Sequence, residues 1–140
     1  MLARFHGSGG ERRAIAAGRA ILTQLTHRSD LPCKVGIGVH AGRVIFAAIG
    51  PSSRRDFTVI GDAVNTAARL CSAAAPGELI ADAATVARAV VAAAGFGAIE
   101  RLHVKGRSSA VSVQRLAIAA PSPAYAPASS RTPSWTAENT

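Results

Sequence analysis

Asn65 and Arg69 stand four residues apart in the run Asp-Phe-Thr-Val-Ile-Gly-Asp-Ala-Val-Asn-Thr-Ala-Ala-Arg, positions 56–69. On a helix that spacing puts both side chains on one face, one turn above the other. A neutral amide beside a guanidinium suits an oriented sugar hydroxyl and a phosphorus-bound oxygen that gains negative charge during reaction. A solvated helix surface carries such pairs as well, so the pair alone leaves both readings open. Gly61, just ahead, lets the backbone turn sharply from a β-prone run into the helix. Asp62 is expected as the helix N-cap rather than as a metal ligand. Val64, Ala67 and Leu70 fall mostly on other faces, where they can pack.

The elements that must position this pair can be read on either side. Residues 1–5 (MLARF) read as the end of a strand, and 6–10 as a Gly/Ser turn. From Glu11 to about Thr26, Ile15, Gly18, Leu22 and Leu25 recur at helical spacing, with Glu11 at the favourable N-terminal end. Residues 34–40 alternate, Val35, Ile37 and Val39 against Gly36, Gly38 and His40, which is strand period. After Ala41-Gly42, residues 43–49 suggest the returning arm of a hairpin, with His40 packed on it. Residues 50–55 are a polar turn, and 56–60 a short β-prone run leading into the helix of Asn65 and Arg69. That helix stops before Pro76-Gly77. A short strand follows at 78–81; Asp82 then caps a helix running to about Ala94, ended by Gly95 and Gly97. Residues 99–104 and 111–116 form a last hairpin. The order describes an α+β sandwich, helices on a mostly antiparallel sheet. From residue 118 the composition turns to Pro, Ala, Ser and Thr without periodicity, which predicts a disordered tail over 118–140.

Composition removes several function classes. The 140 residues fit one core. No apolar run reaches the roughly 20 residues that span a membrane, and residues 1–10 lack the apolar stretch of a signal peptide. Two cysteines, Cys33 and Cys71, make neither a disulfide framework nor a four-ligand zinc site. A cytoplasmic domain is the expectation. The net charge of +8 comes from bases scattered along the chain, and its densest pairs, Arg12-Arg13 and Arg54-Arg55, form no basic helix face with interleaved aromatics. A basic nucleic-acid-associated protein is therefore the weakest of the function classes considered.

The 56–69 segment closely resembles the signature of the class III nucleotidyl cyclases, the adenylate and guanylate cyclase catalytic domain. The likeness continues at 35–44 (VGIGVHAGRV), similar to the family's glycine- and histidine-containing hairpin; at 76–80 (PGELI), similar to its next turn and strand; and at 104–106 (VKG), similar to its "LKG" turn. It covers about residues 1–116. The resemblance implies a ferredoxin-like cyclase sandwich, N-terminally truncated, with residues 1–117 a partial catalytic domain. By the same resemblance, Asn65 orients the ribose and Arg69 stabilises the transition state as the 3′-hydroxyl attacks the α-phosphate of ATP and pyrophosphate leaves. Lys105 holds the terminal phosphates, and Arg43 matches a phosphate-contacting arginine of some members. Thr58 takes the purine-reading position, as in the subgroup that includes bicarbonate-responsive adenylate cyclases; a hydroxyl, which donates or accepts, separates adenine from guanine poorly.

The family uses Mg²⁺ or Mn²⁺ held by two aspartates, on a strand and a Gly-Asp turn that precede the matched region; a purine-contacting lysine lies near that turn. None of the three is in this sequence, which begins just beyond the second aspartate. Without them no two-metal clamp is expected from this chain. The missing strand should also leave residues 1–5 and 34–40 without a shared neighbour, and the fold weakened. Family sites form between protomers. The expectation is thus a domain that pairs, as homodimer or with a complete cyclase domain, to convert ATP to cyclic AMP in intracellular signalling, and is inactive alone. A non-catalytic remnant or regulatory partner of a complete cyclase is the alternative.

Overall fold

The computed structural model describes residues 1–26, 28, 35–51, 56–103 and 109–118. Helix α1 (Gly10–Thr26) is followed by β1 (Ile37–Val39), β2 (Ile45–Ile49), β3 (Asp56–Ile60) and α2 (Asp62–Ala73). Then come β4 (Glu78–Asp82), α3 (Ala83–Ala89), a 3₁₀ turn (Val90–Ala93), β5 (Glu100–Leu102) and β6 (Val111–Ala117). The architecture is α+β, as the residue pattern implies. Of the predicted tail, 118–140, residues 119–140 lie outside the described residues, while the Ile118 amide donates to the Gly77 carbonyl at 3.0 Å.

Four strands form one sheet in the order β1-β4-β6-β5. β1 runs parallel to β4, with Gly38 opposite Ile80, and the β4–β6 and β5–β6 pairs are antiparallel. The expected last hairpin is therefore present, and the sheet is mostly antiparallel. Alternation along β4 sends its side chains to two cores. Leu79 and Ala81 pack with Ile15, Leu22, Val86 and Leu116 beneath α1 and α3. Ile80 joins Leu70 and Val113 beneath α2. All five residues of β4 are thus buried or half-buried, because helices cover both faces. On α1 the buried Ile15 and Leu22 flank Gly18, where a Cβ would lie 2.6 Å from Leu79 Cδ1, so the predicted helical stripe is the stripe that packs.

Three expectations change. β2 does not return along β1. It pairs with β3, Ile45 opposite Ile60 and Ala47 opposite Thr58, as a separate two-stranded arm. Two glycines let β1 lie close on α2 instead: a Cβ on Gly38 would stand 2.2 Å from the Cys71 nitrogen, and one on Gly36 2.7 Å from the Ala74 carbonyl oxygen. β1 is pressed against α2, and its one strand partner among the described residues is β4. Residues 1–5 form no strand; they are exposed, with the Arg4 guanidinium 4.4 Å above the Phe46 ring. A strand needs a neighbouring backbone for its N–H and C=O groups, and no described strand pairs with this segment. Finally, α3 ends at Ala89, because Val90 adopts φ 48° and the chain tightens into the 3₁₀ turn before Gly95 is reached. Arg19 of α1 donates to the carbonyls of Ala92 and Ala94 and so holds that turn in place.

Candidate functional site

Helix α2 carries the pair. Its buried side chains are Ala63, Thr66 and Leu70, a stripe at i, i+3 and i+7 that faces β1 and β4. Asn65 and Arg69 lie on the side away from that stripe, Asn65 exposed and Arg69 half-buried. Thr66 hydroxyl donates to the Asp62 carbonyl at 2.9 Å within the same helix. The polar pair is therefore set on a helix whose other side is fixed in the core.

The helix begins one residue earlier in its cap than expected. Gly61, not Asp62, is the N-cap, at φ 155° and ψ 162°, with no side-chain cap; Asp62 is the first helical residue. Its carboxylate lies in the first turn, where the helix dipole favours negative charge. Gly61 is required twice over. Its backbone conformation is one that side-chain-bearing residues rarely adopt, and a Cβ there would stand 3.0 Å from the Arg43 carbonyl oxygen. Gly42 approaches the same helix, where a Cβ would lie 2.6 Å from Ala63 Cβ. The β1–β2 connection, and with it the backbone of Arg43, is thereby seated on the first turn of α2.

The Arg43 side chain is exposed at the foot of the arm. Thr58 is half-buried on β3, three residues before Gly61, opposite Ala47. Four of the five sequence-predicted residues thus lie on the arm, on its foot and on the helix it feeds. The fifth, Lys105, lies outside the described residues.

A cluster that spacing did not suggest closes the other end of the connection. His40 Nδ1 donates to Asp82 Oδ1 at 2.7 Å, a carboxylate that also accepts from the Thr85 amide at 3.1 Å and from the Thr85 hydroxyl. Thr85 Oγ1 in turn accepts from the Ala41 amide at 2.9 Å. Asp82 is thus the N-cap of α3, as expected, and something more. Burial pushes its carboxyl upward, but the hydrogen bonds from His40 and Thr85 outweigh this and hold it below its ordinary value. The signal in sequence is weak: forty-two residues separate His40 from Asp82.

Among the described residues no group of three or more His, Cys, Asp or Glu side chains could hold an ion. Asp82 is occupied with His40 and Thr85. Among the described residues these side chains do not fit a two-metal centre. A cleft of about 520 Å³ lies between α1 and the 3₁₀ turn, lined by Arg12, Arg19, Val91 and alanines; it carries none of the five candidates. Among the described residues no helix is long and apolar enough to cross a membrane.

Residues 14–115 match the adenylate and guanylate cyclase catalytic domain family, and the chain belongs to that family. The uncharacterized protein Rv1318c of Mycobacterium tuberculosis is 48% identical over 79 residues, which is 54% of this chain and 14% of that protein. This chain therefore spans about a seventh of the length of that relative. The guanylyl cyclase Cya2 superposes with a TM-score of 0.62 at 23% identity, over 86% of this chain and 65% of that one. The adenylyl cyclase CyaB from P. aeruginosa gives 0.56 at 24% identity, over 79% of this chain and 60% of that one. These likenesses show a shared fold.

Proposed function

We propose that this chain supplies the ribose-orienting and charge-stabilising half of a nucleotide cyclase site that converts ATP to cyclic AMP and pyrophosphate. The observation that carries the proposal is the build of α2: Ala63, Thr66 and Leu70 locked in the core, and Asn65 and Arg69 one turn apart outside that buried stripe. Asn65 would hold the ribose so that its 3′-oxygen faces the α-phosphorus. Arg69 would meet the negative charge that grows on the phosphoryl oxygens as that oxygen bonds to phosphorus and the bond to pyrophosphate breaks. Arg43 and Lys105 would bind phosphates, and Thr58 the purine edge. Mg²⁺ or Mn²⁺, which neutralises the triphosphate and activates the 3′-hydroxyl in the family, would be held by carboxylates of another domain.

The partner is a second cyclase domain, either another copy or a complete one. Ile45, Phe46, Ile49 and Ile60 of the arm are all at least half exposed. The arm's strands pair only with each other among the described residues. A monomer rarely leaves so many large apolar side chains uncovered on one element. On this reading the isolated chain is inactive.

The test mixes the chain with a cyclase domain that keeps its metal carboxylates but lacks its own Asn/Arg pair. Cyclic AMP should form in the mixture with Mn²⁺ and in neither component alone. Formation by the isolated chain, or a mixture that associates and stays silent, would contradict the proposal; the silent mixture would favour a regulatory partner. GTP in place of ATP reads the purine preference.

A further inference from the structure

We propose that His40 is a positioning residue: through Asp82 and Thr85 it clamps the β1–β2 connection, and so Arg43, against the start of α2. The Asp82 carboxylate receives His40 Nδ1–H, the Thr85 hydroxyl and the Thr85 amide, while the Thr85 oxygen receives the Ala41 amide. Each link is shielded: Thr85 is fully buried, Asp82 is 7% exposed, and the His40 side chain 18%. Hydrogen bonds to an ionised carboxylate in such surroundings are among the stronger ones. Ala41 is thereby fixed to the start of α3, and the next two residues meet α2, Gly42 at Ala63 and the Arg43 carbonyl at Gly61. The connection is held at both ends by different helices, one on each face of the sheet.

The geometry also divides the roles of the imidazole's two nitrogens. Facing an ionised carboxylate, Nδ1 must carry the proton. Nε2 points toward Gly42, 3.5 Å from where a Cβ on that residue would be. If the clamp is the role, Nδ1 is the working atom and Nε2 is dispensable. An asparagine at this position places an amide N–H where Nδ1–H lies, and alanine places nothing.

The consequence for catalysis rests on the cyclase reading; the clamp itself does not. Two readouts separate them. The first is amide hydrogen exchange at residues 41–43 of the full chain. His40→Ala and the near-isosteric Thr85→Val should each speed exchange there about tenfold, the worth of one net hydrogen bond, while His40→Asn stays near wild type. Thr85→Val keeps the test available if His40→Ala fails to fold. Unchanged exchange in both loosening variants would overturn the clamp, and so would His40→Asn behaving like His40→Ala.

The second readout is the mixed cyclase assay. His40→Ala should raise KM for ATP several-fold with kcat little changed, as Arg43→Ala should, and the double variant should be no worse than Arg43→Ala alone. Independent, additive effects would overturn the positioning role while leaving the cyclase reading intact. No cyclic AMP from the wild-type mixture would overturn the cyclase reading and the catalytic consequence together, and exchange would still decide the clamp.

Discussion

The carbonyl oxygen of Arg43 lies so close to Gly61 that a Cβ on the glycine would stand 3.0 Å from it. One contact therefore links the foot of the arm to the cap of α2, the two places where candidate phosphate- and ribose-binding groups are carried. Gly61→Ala meets this contact and also the glycine-only backbone conformation at φ 155°. It should destabilise the chain by about 1–3 kcal/mol, read as a lower urea midpoint with an unchanged slope.

Gly38→Ala should be worse. Its Cβ would meet backbone, 2.2 Å from the Cys71 nitrogen and 2.4 Å from the Ala67 carbonyl oxygen, and a helix backbone cannot rotate aside as a side chain can. Helix α2 would have to leave β1. The far-ultraviolet thermal transition should broaden or vanish in this variant while Gly61→Ala still melts cooperatively.

Asp82 makes stability depend on acid. Its folded carboxyl sits below its ordinary value, so its contribution is complete above that value and is lost as pH falls through the folded one. The loss should therefore start near the ordinary carboxyl value of about 3.9 and run downward. Asp82→Asn should lower Tm most at pH 6–7 (roughly the range where the carboxylate is fully ionised). The gap from wild type should shrink below that onset, measured by thermal melts across pH.

Arg88 on α3 bridges to Glu11 on α1 at 2.9 Å with half of its side chain exposed. Exposed pairs of this kind contribute about 0–1 kcal/mol. Arg88→Ala should shift the melting temperature slightly, and high salt should erase the difference.

Local signals are legible in the sequence. The 15, 18, 22 stripe of α1, the Asn65/Arg69 helix and the Asp82 cap all follow from residues within a few turns of one another, and each is where the pattern puts it. Strand partnership was not legible in the same way. Residues 34–40 alternate and 43–49 are an adjacent apolar run, yet β1 pairs with β4 and β2 with β3, partners that lie well apart from them in sequence or beyond a turn. The cap of α2 was misplaced by one residue because Asp62 has the commoner capping side chain, whereas the tight approach of Arg43 demands glycine. The role of His40 is hidden for a related reason: alternation gives its side, and only the fold brings it to Asp82.

The most direct measurement is turnover of the mixed assembly carrying Arg69→Ala, against Arg101→Ala as control. Arg101 is exposed on β5, at the sheet edge opposite β1. A guanidinium matched to charge present only in the transition state should, when removed, cut kcat by about 10²–10³ with KM little changed. Arg101→Ala should leave both constants unchanged. If the two variants turn over alike, Asn65 and Arg69 are a solvated helix face, and the assignment of this chain to the ribose and charge-stabilising half of the site is wrong.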